Sequence, residues 1–242
     1  MKISLLCFFL FSVTETSFSQ IETDSTGNFN FRFSVTYNLN TDIPGEKNLD
    51  DHRVDDLSGF EETDRVATPL HGFFATLTIM PENDYKALIV RLGKMVTSYE
   101  YKFTTLETDI SGSPIGNLKT TIVERYAVYP LSIGGVYTTP KQELQLFAEM
   151  IYALGYLNEE YTITTTSGGT TGFSSSYTGT ALGYQLGVIV NPQLGSTFGL
   201  HLEGGYRGLR FYQFEDRNTN IVIPLDLSLS SAYLNFGITF ML

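Results

Sequence analysis

The stretch FNFRFSVTYNL, residues 29–39, decides the fold. Phe29, Phe31, Phe33, Val35, Tyr37 and Leu39 alternate with Asn30, Arg32, Ser34, Thr36 and Asn38. A period of two puts every apolar side chain on one face of an extended strand and every polar one on the other. The run is longer than the roughly 9–11 residues that a tilted strand needs to cross a bilayer.

The same alternation recurs down the chain. Phe73, Ala75, Leu77 and Ile79 oppose Gly72, Thr76 and Thr78. A third strand, 87–103, begins with Leu88, Val90 and Leu92 and ends with Tyr99, Tyr101 and Phe103. That change of phase predicts a bulge between Lys94 and Ser98. A fourth, 120–137, carries Ile122, Tyr126 and Val128 and shifts at Pro130 to Leu131 and Ile133. The fifth holds Leu144, Leu146, Ala148, Met150, Tyr152, Leu154 and Tyr156, and the sixth Leu182, Tyr184, Leu186, Val188 and Val190. The seventh sets Phe198, Leu200, Leu202 and Tyr206 against His201, Glu203 and Arg207. The eighth closes the sequence with Leu234, Phe236, Ile238, Phe240 and Leu242.

Connections alternate in length. The short ones, 81–85, 139–143 and 191–197, hold the turn formers Pro, Gly, Asn and Asp. The long ones are 40–68, 104–118, 164–176 and 213–224. Short turns on one side and long loops on the other are the pattern of an outer-membrane barrel. Long loops after strands one, three, five and seven predict that both termini lie on the periplasmic side. The fold expected is therefore all-β: an eight-stranded antiparallel up-and-down transmembrane barrel over residues 20–242.

Residues 1–19 read as a signal peptide. Lys2 supplies the positive end, 3–13 the short apolar run, and Ser17 and Ser19 the small residues before a cut at Gln20. Removing them takes away Cys7, the one cysteine, so an exported chain has no disulfide framework. No later stretch offers the about 18 consecutive apolar residues of a membrane helix. A net charge of −11 argues against a nucleic-acid partner, whose binders present basic faces.

The ending YLNFGITFML, 233–242, and the stretch YPLSIGGVY, 129–137, resemble the small OmpA- and OmpX-like outer-membrane barrels, the outer membrane protein beta-barrel domain group. Leu242 stands where that group usually ends in an aromatic, and Phe240 keeps the phase. The resemblance implies the outer membrane of a Gram-negative bacterium. It also implies membrane lipid and the barrel assembly machinery as partners, and loops offered to an extracellular ligand or host surface.

Projecting the alternation inward collects Arg32, Arg91, Arg125, Glu149, Glu203 and Arg207, with His201 beside them. An eight-stranded barrel is just wide enough for side chains to fill, and buried charges need partners. These residues are expected to form an interior ion-pair network that plugs the lumen. The role expected is structural or interactive. A narrow passive pore is the alternative, and a lipid-modifying hydrolase comes third. His201 and Glu203 can form an acid–base couple, but the nearest downstream hydroxyl is that of Tyr206 and no serine nucleophile follows. No catalytic residue, cofactor or metal is therefore expected.

The first long loop gathers Asp42, Glu46, Asp50, Asp51, Asp55, Asp56, Glu61, Glu62 and Asp64 against Lys47, Arg53 and Arg65. Clustered carboxylates can hold a calcium ion, but the spacing is not that of an EF-hand. A solvated acidic loop is the expectation. The third loop, 164–176, is a low-complexity run of Thr, Ser and Gly.

Overall fold

A computed structural model describes residues 29–41, 61–82, 85–108, 110–139 and 144–242. The signal peptide and most of the acidic loop lie outside them. The strands are β1 (Phe29–Asn40), β2 (Glu61–Ala67), β3 (His71–Pro81), β4 (Lys86–Thr108), β5 (Pro114–Thr138), β6 (Gln145–Thr164), β7 (Thr170–Val190), β8 (Phe198–Phe211), β9 (Phe214–Asp216), β10 (Val222–Ile223), β11 (Leu227–Ser228) and β12 (Ser231–Met241). No helix of the described residues is long and apolar enough to cross a membrane.

Eight of these strands form a closed antiparallel ring in the order β3-β1-β12-β8-β7-β6-β5-β4, with β4 pairing back to β3. The first and last strands lock the ring: Val35 lies between Ile238 on β12 and Ala75 on β3. Closure removes the free edges that an open sheet would expose.

The ring is not of even height. β1, β3 and β12 have 12, 11 and 11 residues, which suffices for one crossing. β4, β5, β6 and β7 have 23, 25, 20 and 21. The excess rises on the side opposite the short turns as a wall of paired strands. β2 extends it by pairing Val66 with Glu100 of β4, and β9 by pairing Glu215 with Thr178 of β7. Much of what the sequence reads as long loops at 104–118 and 164–176 is thus strand. Thr, Lys and Glu there continue the hydrogen-bonded ladders into water instead of leaving them.

The bulge expected between Lys94 and Ser98 does not occur. The β4–β5 register runs straight past it, with Leu92 opposite Leu131 and Met95 opposite Val128. The shift expected at Pro130 is likewise absent, since the β5–β6 register is continuous from Lys119 to Thr138. What changes there is polarity, not phase. Low in the barrel the outward residues are apolar: Leu92, Leu131, Ile133, Met150 and Leu154 are all exposed. Higher up the same rows turn polar, with Arg125 on β5 and Asn158 and Glu160 on β6 all exposed. The inward rows do the opposite. Arg91, Ser132 and Glu149 are buried low down, and Tyr99, Tyr101, Ile122, Tyr126 and Leu157 are buried above them. The lower ring is built for an apolar exterior and the upper wall for water.

The β9–β10 hairpin turns through Asn220 in the left-handed region (φ 56°), which Asn tolerates better than most residues. The Asp216 carboxylate accepts the backbone N–H groups of Asn218 at 2.7 Å and Thr219 at 2.9 Å. These bonds favour the ionised form and hold its pKa below the usual aspartate range. A depressed folded pKa contributes stability that is present above the unfolded pKa and lost as pH falls through the folded one. Amide exchange at Asn218 and Thr219 is therefore expected to be protected at neutral pH. It should lose that protection below the aspartate range. Equal protection factors at pH 7 and pH 2 would refute the cap.

Candidate functional site

The charges of the lower ring meet in one layer across the lumen. Arg91 points in from β4 between the outward Leu92 and Val90, as alternation requires. Its guanidinium spans the barrel. Nη2 donates to Glu149 Oε1 of β6 at 2.9 Å, and Nη1 to Glu203 Oε1 of β8 at 2.7 Å. In the ring order β8 stands opposite β4, so this contact crosses the barrel's full width. All three side chains are fully buried.

Both carboxylates are further satisfied. Ser132 and Gln185 donate to Glu149 Oε2, Gln185 at 2.6 Å. Tyr233 Oη donates to Glu203 Oε1 at 2.8 Å and Asn235 Nδ2 at 3.0 Å. His201 Nε2 lies 3.1 Å from Glu203 Oε2. Room for these long side chains comes from small inward neighbours. At Gly93, a Cβ would lie 2.4 Å from the Phe74 ring, and at Gly205 one would lie 3.0 Å from Tyr233 Oη.

Arg207 shares the layer but has no carboxylate within ion-pair distance among the described residues. Its Nε donates to Gln185 Oε1 at 3.2 Å and its Nη1 reaches Met95 Sδ at 2.9 Å. The guanidinium lies 4.6 Å from the Tyr233 ring centre and 5.2 Å from that of Phe74. Ring faces thus supply much of its electrostatic partnership. Arg32 sits lower, near the short turns, and donates to Gln145 Oε1 at 3.1 Å.

Arg125 is a correction. It is on the outer face, more than half exposed, and pairs with Glu160 on the neighbouring strand. The sequence pattern alone puts Ile122, Tyr126 and Val128 outward, but above the apolar belt the outside is polar and those residues face in. Arg125, one position out of step with them, therefore faces water. Tyr206, the nearest hydroxyl downstream of His201 and Glu203, faces outward and is exposed, so it does not join them. Tyr233 was missed. Its parity with Asn235 was the available signal, obscured because a tyrosine reads as readily as a belt residue.

An apolar core closes the space above the charged layer. Met95, Tyr99, Tyr126, Leu209, Phe211 and Phe214 are all buried in it, together with Leu227 and Leu229, which continue the ladder of β12 along β8. Phe211 stacks on Phe214 with ring centres 5.4 Å apart. No group of three or more His, Cys, Asp or Glu placed to hold a metal occurs among the described residues.

No family model matches the chain, and no curated protein does. Solved structures do. The outer membrane protease OmpT of Escherichia coli is 11% identical, with 91% of this chain and 100% of that one covered and a TM-score of 0.39. The attachment invasion locus protein Ail of Yersinia pestis is 11% identical, with 90% and 100% covered and a TM-score of 0.38. The outer membrane protein OprG of Pseudomonas aeruginosa is 9% identical, with 89% and 96% covered and a TM-score of 0.38. All three TM-scores lie below 0.5, and the ring of eight antiparallel strands rests on the strand pairing itself.

Proposed function

We propose that the protein is a sealed outer-membrane barrel of a Gram-negative bacterium, with a structural or interaction role carried by the wall and loops it raises outside the cell. One observation carries this reading: on continuous strands, outward and inward polarity exchange at a common height. An apolar belt round a polar interior suits lipid, and a polar exterior round an aromatic core suits water. The belt lies next to the short turns, so the termini are periplasmic and the wall extracellular. Arg91 bridging the lumen and the core above it support closure over conduction. The raised wall and loops are the part available to an extracellular ligand or host surface.

Membrane fractionation tests the location. The folded protein is expected with outer membranes and to shift mobility on gels after heating. Recovery in the soluble periplasm would refute the proposal. In planar bilayers the parent protein is expected to show no discrete conductance steps.

The lipid face makes a further prediction. Leu186, Leu200, Phe236 and Ile238 are outward and exposed, and Val188 lies on the same outward row of β7. Leu186→Arg is expected to cost about 2–4 kcal/mol in lipid, the range for a charge near the bilayer midplane. A Leu186→Arg barrel as stable in vesicles as the parent would show that this face does not meet lipid.

A further inference from the structure

At the upper edge of the belt, two cations and two tyrosines form a continuous strip across the outer face. Lys94 Nζ lies 5.7 Å from the centre of the Tyr129 ring. Tyr129 meets Tyr156 edge to face, with centres 5.6 Å apart at 89°. The Arg217 guanidinium lies 5.8 Å from the Tyr156 ring. The residues come from β4, β5, β6 and the loop after β9, and only the folded barrel brings them together. The next outward residues above Tyr129 and Tyr156 include Arg125, Asn158 and Glu160, so the rings mark the height at which the exterior turns polar. Aromatic residues collect at that level of a membrane, beside the lipid headgroups.

The cations of this strip differ from three others on the outer face. Arg125 pairs with Glu160, Arg210 with Asp226, and Lys102 with Asp64 and Glu100. Lys94 and Arg217 have ring faces and, among the described residues, no carboxylate within 4.0 Å. On a chain of net charge −11, these two exposed cations have no countercharge among the described residues, at the height where the membrane reading puts lipid phosphates. Beside Tyr156 the outer wall is also recessed. A cavity of about 330 Å³ is lined there by Leu154, Tyr156, Thr178, Thr180, Glu215 and Val222, among others. Leu154 and Val222 offer apolar contact and Thr178 and Thr180 offer hydroxyls, which suits the neutral part of a headgroup, while the Glu215 carboxylate in the same lining repels a phosphate and leaves it to the two cations.

We propose that Lys94, Tyr129, Tyr156 and Arg217 form a binding site for a phosphate-bearing anionic lipid of the outer leaflet. The site rests on the membrane reading above. It would hold the barrel at a fixed depth and orient the raised wall relative to the surface.

Native mass spectrometry of the folded protein in detergent, titrated with phosphatidylglycerol and separately with phosphatidylcholine, tests it. Each Lys or Arg near an anionic surface strengthens attraction about 5-fold. Lys94→Gln/Arg217→Gln is therefore expected to bind phosphatidylglycerol at least about 5-fold more weakly than the parent, with phosphatidylcholine unchanged. Lys119→Gln/Arg125→Gln removes the same charge higher on the wall and is expected to bind like the parent. Equal phosphatidylglycerol binding by the parent and Lys94→Gln/Arg217→Gln overturns the site. So does an equal loss in Lys119→Gln/Arg125→Gln, which would mark a general charge effect. Displacement of the lipid by millimolar inorganic phosphate would assign the strip to a soluble anion and overturn it too. The heat-dependent gel shift and insertion into vesicles are read on the same samples. Failure there would refute the membrane reading, whereas an inserted, lipid-indifferent barrel would refute the site alone.

Discussion

Glu203→Gln is expected to lower the stability of the folded barrel in detergent by about 3–5 kcal/mol, the usual cost of removing one partner from a buried ion pair. Glu203 accepts from Arg91, Tyr233 and Asn235 and lies beside His201. The glutamine keeps the volume but places an amide N–H₂ among donors. It also leaves two buried guanidinium groups, of Arg91 and Arg207, facing one carboxylate. Removing the whole constellation is another matter. Replacing a buried ionic group by apolar residues of similar size is often neutral or stabilising. Arg91→Met and Arg207→Met combined with Glu149→Gln and Glu203→Gln is therefore expected to recover much of the loss. Unfolding in urea, followed by the heat-dependent gel shift, measures both. If Glu203→Gln and Glu149→Gln each left stability and conductance unchanged, the interior charges would be hydrated in an open lumen and the sealed barrel would be wrong.

Phe211→Ala is expected to cost a similar amount, about 3–5 kcal/mol, from the apolar core above that layer. Phe211 is fully buried and stacked on Phe214. It fills the space left by Gly155 on β6, two strands away, where a Cβ would lie 2.7 Å from its ring. The surrounding wall is fixed by hydrogen-bonded ladders and cannot collapse into the space the ring leaves. A larger inward residue at that position should restore part of the packing, so Gly155→Ala with Phe211→Leu is expected to be more stable than Phe211→Ala. Phe211→Ala within 1 kcal/mol of the parent, on the order of an ordinary surface change, would mean that water already fills the upper barrel.

The strands were legible wherever one solvent faces each side throughout. β1 alternates without interruption, and β6 keeps Leu146 to Tyr156 outward as its sequence requires. β4 and β5 misled because the polarity of their two faces exchanges partway along them. A period-two reading assigns the apolar residues to one face and keeps them there, so Tyr99, Tyr101 and Ile122 implied a slip that the backbone does not make. The same assumption put Arg125 inside. Genuine irregularities lie elsewhere, between Glu62 and Asp64 and between Glu107 and Thr108, where no change of polarity announces them.

Side-chain alternation, turn composition and the spacing of connections determined by themselves that this chain is an antiparallel barrel of eight strands. They also determined that Arg91, Glu149, Glu203 and Arg207 face its interior, because parity is a local property of extended backbone. Which of those charges meet was decided only by the tertiary structure. Arg91 and Glu203 are 112 residues apart, and ring closure with its register sets which strands stand opposite one another. The fold alone gives Arg207 two aromatic faces in place of a carboxylate. It alone brings Lys94 and Arg217 to the ends of one strip. Contacts across a barrel depend on its circumference and stagger, and no local pattern encodes either.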